Sequence, residues 1–390
     1  MIIDKAYYLT TPLTRGFLLL LGVSMLSVAA CKGERDADRK ESENDPNATS
    51  LEQLDPSKVR SFPDTLHDRF TDYFGQLAEA GRFSGVVLLQ EDHRFFIKAF
   101  GHRRLRDRDS LLLDDRFQLA SLSKPLTAFG VLTLVEQGLI ELDAYVSDYL
   151  FDFPFSDVTV RSLLDHTSGL GNYIYITDSL WNAPDSFMTN RNVYELIRCE
   201  QLPIYYPAHR RFDYCNTNYA LLPILIEEVS GMSFSAYMED EVFKPLGMLQ
   251  TQYLDPFDMP SDAYPVLGHY PNGDPKSPFY LNGVIGDKSL YSNVFDLYKF
   301  YRELQAPTLI SRTLVNEAMC PQVNTSYDRY YGLGWRIQPM DGDTLVFHNG
   351  WWRGFRSYFW MSKQNDKLAI ILTNSIRGGY LKQEEIWGMF

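Results

Sequence analysis

The stretch Phe117-Gln-Leu-Ala-Ser-Leu-Ser-Lys-Pro-Leu-Thr-Ala-Phe-Gly130 decides how the chain is read. Ser121 and Lys124 stand three apart, and an apolar run from Leu126 to Leu134 follows with helical spacing. Positions i and i+3 share a helix face, so the hydroxyl and the amine can meet. The unpaired N–H groups of a first helical turn favour negative charge there. Pro125 fits such a turn, where its missing N–H costs little. A serine so placed, with an amine one turn on, can be a nucleophile with its own base, provided the amine is held in its base form. Taken alone, the pair is better read as an N-capping serine beside a solvated lysine. Ser-x-x-Lys occurs once in the chain, so the decision rests on the remainder.

A chain of 390 residues, 45% hydrophobic and 14% aromatic, can bury a sizeable core. Its formal net charge of −13 argues against a nucleic-acid partner, which needs a basic face. Residues 1–30 have the layout of a targeting segment. Lys5 and Arg15 make a positive start, Gly16 to Val28 is apolar but short for a membrane span, and Val28-Ala29-Ala30-Cys31 closes it. This resembles a bacterial lipoprotein signal, with Cys31 lipidated as the mature N-terminus. Ordinary secretory cleavage near Ala30 is the alternative. Residues 31–60 are polar and lack an apolar period, which reads as a disordered tether. The expected location is the bacterial cell envelope, lipid-anchored in the periplasm or outer membrane. The other cysteines are Cys199, Cys215 and Cys320, an odd number that cannot all pair within one chain. No Cys-x-x-Cys, His-Glu-x-x-His or Gly-rich phosphate loop occurs, so neither a metal nor a cofactor is expected.

From residue 61 onward the texture changes twice. Phe62 to Ala80 has helical spacing, and Ser84–Leu89 and Phe95–Phe100 read as a hairpin. From about 121 to 304 short helical runs alternate with Pro, Gly and Asp breaks; Val158–Leu164, Asn218–Val229 and Phe234–Val242 are the clearest. Strand texture returns at Gly332–Gln338, Thr344–His348, Phe355–Met361 and Leu368–Thr373, and Tyr380–Phe390 reads as a closing helix. The expected fold class is α+β, an antiparallel sheet flanked by helices, with a helical subdomain inserted between its N- and C-terminal parts. The cleft between them is the expected place for Ser121.

Two further groups supply what covalent acyl transfer needs. Tyr214-Cys215-Asn216 offers a phenol for proton transfer and an amide for a substrate carbonyl. Tyr270-Pro271-Asn272 and Tyr291-Ser292-Asn293 share the spacing, but Tyr214 is preferred because it follows the Pro207–Phe212 loop and immediately precedes the Asn218–Val229 helix. His348-Asn349-Gly350 closes a strand. The histidine suits an acidic group or a proton relay, and the glycine leaves room for a substrate backbone. Trp351 and Trp352 read as a cleft wall or as core.

With these pieces in order, the chain resembles the serine β-lactamase and penicillin-binding-protein superfamily, in its class C β-lactamase-like serine hydrolase and esterase branch. The residues carrying the resemblance are Phe83-Ser84-Gly85-Val86, Ala120-Ser121-Leu122-Ser123-Lys124, Leu163 to Leu170, Phe212 to Tyr219, Leu290 to Asn293 with Asp296, Tyr331 to Trp335, and His348-Asn349-Gly350. The resemblance implies that Ser121 is acylated and that Lys124 and Tyr214 move its proton. It implies an oxyanion hole from the N–H groups of Ser121 and Trp351, with Asn216, His348 and Gly350 on the substrate. The expected substrate is a small ester or a D-amino-acid peptide or amide derived from the cell wall, with β-lactams ranked lower. A non-catalytic cell-wall peptide binder is the alternative. Departures from the family pattern are His348 where β-lactamases carry a lysine, Pro207-Ala208 for Pro-Gly, Cys215 for Ser or Ala, and the bulk of Trp351 and Trp352.

Overall fold

The computed structural model describes residues 61–390 except 182, 184, 185, 200, 255–265 and 341. The signal segment, Cys31 and the tether to residue 60 therefore lie outside the described residues.

Helix α1 (Asp64–Glu79) precedes strands β1 (Gly85–Glu91) and β2 (Arg94–Phe100). The other strands of the same sheet come far later: β3 (Val323–Ser326), β4 (Arg329–Tyr331), β5 (Arg336–Met340), β6 (Asp343–Trp352), β7 (Phe355–Ser362) and β8 (Lys367–Thr373). The spatial order is β2-β1-β8-β7-β6-β5-β4-β3, antiparallel throughout. The two ends of the domain meet where β1 pairs with β8, from Gly85 opposite Thr373 to Glu91 opposite Lys367. Between β2 and β3 run the longer helices α2 (Ser123–Glu136), α3 (Asn190–Arg198), α4 (Asn216–Ser230) and α5 (Val294–Gln305).

The sheet is covered on both faces, and this sets its composition. Val87 and Leu89 of β1 pack with Phe70 and Phe74 of α1 and with Ile386 and Trp387 of the closing helix. Val86 and Leu88 point the other way, into the larger core shared with Leu126 of α2 and Leu221 of α4. A strand buried on both faces has no polar alternation to show, so Val-Val-Leu-Leu reads as an unbroken apolar run. Each such side chain contributes about 1.5–3 kcal/mol on leaving water. Helix α2 is buried from Ser123 through Leu134, as expected of a helix enclosed by its neighbours rather than lying on the surface.

Three details differ from the spacing of the sequence. The strand expected at Gly332–Gln338 starts at Arg336, because the Gly332 N–H donates to the Trp335 carbonyl (2.8 Å) and closes a turn first. Strand β6 continues past His348 to Trp352, and the strands β3 and β4 had no clear alternation to announce them. The Phe234–Val242 helix is α-helical only to Tyr237 and widens into a π turn over Met238–Phe243.

Gly350 of β6 lies where the sheet meets the segment leading into α2. A Cβ added there would collide with the Leu119 carbonyl and the Ser357 hydroxyl and stand 3.1 Å from the Ala120 Cβ. The space that the sequence assigns to an approaching substrate is filled by the protein's own backbone. Gly350→Ala is expected to lower the free energy of unfolding by about 1–3 kcal/mol, the usual cost of overpacking, as measured by urea denaturation.

Candidate active site

Ser121 lies in a single 3-10 turn, Ala120–Leu122, that runs straight into α2. Ala120 has φ +52°, a left-handed conformation uncommon for a residue with a Cβ. The turn is held from three sides: the Leu119 N–H donates to the Leu290 carbonyl (2.8 Å), the Ser357 hydroxyl donates to the Leu119 carbonyl (2.5 Å), and Gly350 gives it room. Ser121 caps no helix end, and Lys124 is fully buried, so the N-cap and solvated-lysine alternative does not hold.

The Lys124 Nζ stands 3.2 Å from Ser121 Oγ, 2.8 Å from Asn216 Oδ1 and 2.8 Å from the Asp287 carbonyl oxygen. An ammonium can donate to all three. A neutral amine can keep the amide and the carbonyl as acceptors and turn its lone pair to the serine hydroxyl. The same geometry therefore serves both states of a proton carrier. Asn216 is the first residue of α4, and Tyr214 is two residues ahead of it. The Lys124 Nζ lies 5.1 Å from the Tyr214 ring centroid and the Arg336 guanidinium another 5.1 Å, so two cations face this phenol ring. Ser121, Lys124, Tyr214 and Asn216 are thus brought together. Tyr291, by contrast, pairs with Gln118 in a small three-stranded sheet.

His348 faces the same side of the sheet as Gly350, but it is 1% exposed and covered by Tyr331. Its Nδ1–H donates to the Asn349 carbonyl (2.9 Å), which leaves Nε2 to accept from the Tyr331 hydroxyl (3.1 Å). Burial, and then Arg336 and Lys124 nearby, hold its pKa well below 6.5. The ring centroid is 6.3 Å from that of Tyr214, so His348 backs the phenol instead of lining the cleft.

The sequence did not single out three other contributors. His166, at φ +62°, accepts the Cys215 N–H at Nδ1 (3.2 Å) and stacks 4.4 Å from Tyr214, fixing the entry into α4. Burial, then Lys124 and Arg336, also depress its pKa. It lay inside the Leu163–Leu170 segment, whose sharp polar turn was the available signal. Arg336 gave no signal of its own. Lys288 is buried, donating to Val284 O (3.3 Å), to Asp287 Oδ1 (3.1 Å) and to the Tyr173 hydroxyl, which in turn donates to Asp287 Oδ2 (2.9 Å). Burial, with Lys124 adding to it against the pull of Asp287, pushes the Lys288 ammonium down to about 8. Cys215 is buried, donates to the Leu170 carbonyl (3.2 Å) and has its thiol pushed up to about 11 by burial, so it is no reactive thiol. Cys199, Cys215 and Cys320 are all free. Among the described residues there is no group of three or more His, Cys, Asp and Glu able to hold a metal.

Ser121 opens on a cleft of about 430 Å³, lined also by Asn216, Ile174, Lys288, Trp351 and Trp352. Trp351 is 56% exposed at its rim, and the Trp352 indole N–H donates to Asn282 Oδ1 (2.9 Å). Both tryptophans are thus cleft wall. A serine hydroxyl with a buried lysine amine against it, opening on a cleft between sheet and helices, is the site of a serine hydrolase of the penicillin-binding type.

Comparison with known proteins agrees. The Beta-lactamase family model matches residues 70–383, and the chain belongs to that family. Penicillin-binding protein 4* of Bacillus subtilis is 31% identical over 320 residues, covering 77% of this chain and 70% of that one. D-aminopeptidase of Brucella anthropi is 24% identical over 297 residues, 76% of this chain and 56% of that protein. The crystal structure of a penicillin binding protein from Bacillus halodurans shares the fold at a TM-score of 0.73 and 28% identity, covering 82% of this chain and 99% of that one.

The two depressed imidazoles set a pH dependence. Between their folded pKa and the ordinary 6.5, the unfolded chain binds protons that the folded chain refuses. Stability from this source is complete above pH 6.5 and is lost as pH falls below it. The urea midpoint is expected to drop between pH 7 and pH 5, and to drop less in His348→Gln than in wild type.

Proposed function

We propose that this chain is a serine hydrolase that works through a Ser121 acyl-enzyme on D-amino-acid amides, peptides or esters. The observation that carries the reading is the buried Lys124 amine, 3.2 Å from Ser121 Oγ and fixed by Asn216 and Asp287. The D-aminopeptidase relative supports the amide and peptide substrate class.

In the acylation step Ser121 Oγ bonds to the substrate carbonyl carbon, and its proton passes to Lys124. The N–H groups of Ser121 and Trp351 receive the charge that develops on the carbonyl oxygen, and Asn216 orients the acyl chain. The bond to the leaving amine or alcohol then breaks. The leaving group takes the proton by way of Lys124 and Tyr214. Deacylation reverses the sequence with water: its oxygen bonds to the acyl carbon as one of its protons passes to Lys124, the bond from that carbon to Ser121 Oγ breaks, Oγ takes the proton back from Lys124, and the acid departs. His348, neutral behind Tyr214, keeps the phenol in place.

The test is a panel of D-alanyl amides and peptides, p-nitrophenyl esters and nitrocefin. Ser121→Ala is expected to lose fluorophosphonate labelling and to cut kcat/KM by roughly a thousandfold or more while remaining folded. Wild-type turnover in the folded variant would overturn the assignment. Tyr214→Phe is expected to lower kcat by roughly 10²–10⁴-fold and to shift the pH profile, with Tyr291→Phe changing it far less. Equal effects of the two would remove Tyr214 from the mechanism.

The same reading places the enzyme in the cell envelope, held by a lipid on Cys31. The support is the small-residue Val28-Ala29-Ala30-Cys31 ending after an apolar run. Fatty-acid labelling of the protein is expected in wild type and absent in Cys31→Ser; an unlabelled wild type that is released to the medium contradicts it.

A further inference from the structure

Two cations stand in the wall of the cleft. Lys276 and Arg353 both line the cleft that contains Ser121, and both also line a second cavity of about 220 Å³ that lies behind them and does not reach Ser121. Neither forms an ion pair among the described residues. The carboxylate next to Lys276 in sequence, Asp274, is bound to Arg106. Of the two carboxylates that line the cleft, Asp287 is held by Tyr173 and Lys288, and Asp178 accepts from the Tyr280 hydroxyl (2.5 Å).

The Arg353 side chain is fixed but incompletely used. Its Nη2 donates to the Ser277 carbonyl (2.6 Å), and the guanidinium lies 5.1 Å from the Phe279 ring centroid. Its Nε, by contrast, is buried with no hydrogen-bond partner. A buried donor left unmade is costly, and a guanidinium donor more so. The pKa of Lys276 is lowered by burial and then by the Arg353 charge, as two crowded and uncompensated cations require.

The backbone adds an independent observation. Arg353 and Gly354 are the two loop residues of the β6–β7 hairpin, at φ +44° and +93°. Both central positions of such a hairpin need positive φ, which suits Asn-Gly and strains an arginine. Gly354 is pressed against the backbone of Gly268 and His269, so the hairpin tip is locked in place. An unfavourable residue at a locked turn in a cleft wall, with one donor left unmade, marks a site where the side chain is used.

The geometry points to Lys276 and Arg353 as an anion subsite that takes a carboxylate of the substrate remote from the bond Ser121 attacks. This rests on the acyl-enzyme reading and narrows its substrate class to esters, amides or peptides that carry an additional negative charge. Ile174, Phe279, Leu281 and Trp352 give the cleft wall an apolar surface that a linker between carbonyl and carboxylate can cover. Lys288, although cationic, is saturated by Asp287, Tyr173 and Val284 and leaves the anion to the other two.

The test compares two esters that differ by one charge, mono-p-nitrophenyl glutarate and its methyl ester. The ratio of kcat/KM for the charged over the neutral ester is expected to fall about tenfold in Arg353→Gln and in Lys276→Gln, mostly through KM, as for the loss of a charge-assisted hydrogen bond. Arg353→Lys keeps the charge and is expected to recover part of the ratio. Binding is read separately in Ser121→Ala, which cannot acylate: glutarate should quench tryptophan fluorescence and glutaramide should not. If wild type turns over neither ester while Ser121→Ala still distinguishes glutarate from glutaramide, the acyl-enzyme reading fails and the subsite stands. An unchanged ratio in both charge-removing variants, or equal binding of glutarate and glutaramide, overturns the subsite.

Discussion

The fold depends on one close approach, that of the Leu119–Ser121 turn to the surface of the sheet at Gly350. The turn contains a strained residue, Ala120 at φ +52°, and such strain persists only where the surroundings over-determine it. Here they do. Leu290 from the helical half accepts the Leu119 N–H, Ser357 from β7 donates to the Leu119 carbonyl, and the missing side chain of Gly350 lets the two backbones touch. The contact joins a strand near the end of the chain to a turn ahead of α2, more than two hundred residues earlier, so neither half can place Ser121 without the other. It also means that Gly350 serves the nucleophile indirectly, by admitting the turn that carries it.

Electrostatics around this contact are arranged with few carboxylates. Lys124 and Lys288 are both buried, and the residue that touches both is Asp287, by its carbonyl oxygen to one and its carboxylate to the other. An isolated buried charge is costly, and removal of a single partner exposes the whole of that cost. His166 and His348 stand in the same neighbourhood and are kept neutral by burial and by the cations. A protonated imidazole there would add a buried positive charge beside Tyr214. The chain thus gains two rigid aromatic supports for Tyr214 without adding to the charge it must compensate.

Much of this was legible in the sequence. The i, i+3 pair of Ser121 and Lys124 ahead of an apolar run placed nucleophile and amine on one helix face. The runs at Ser84–Leu89 and Leu368–Thr373 gave the two strands that close the domain, although not that they pair with each other. His348 shows where reading stops. Strand alternation assigns it correctly to the side of the sheet that carries Gly350 and Tyr214, because period 2 fixes the face. Periodicity does not report depth, and the ring is covered by Tyr331, seventeen residues earlier in sequence and brought over it by an intervening turn. Arg336 was invisible for a similar reason: its guanidinium meets Tyr214 only through the pairing of β5 with β6. Strands β3 and β4 are short, polar and half-exposed, so no burial pattern wrote itself into their residues.

The buried histidine also changes where selectivity can come from. A lysine at the position of His348 would bring a fixed charge into the layer of Lys124 and Arg336. Arg353, at the tip of the β6–β7 hairpin, and Lys276 stand instead in the cleft wall and form no ion pair among the described residues. Charge at a cleft edge is better solvated than charge in a core, so its attraction for an anion is weaker and more readily screened by salt. Moving the cation from strand to hairpin therefore separates recognition of a substrate's charge from the placement of its scissile carbonyl. Changes at Arg353 or Lys276 can retune the first without disturbing the Leu119–Gly350 contact on which the second depends.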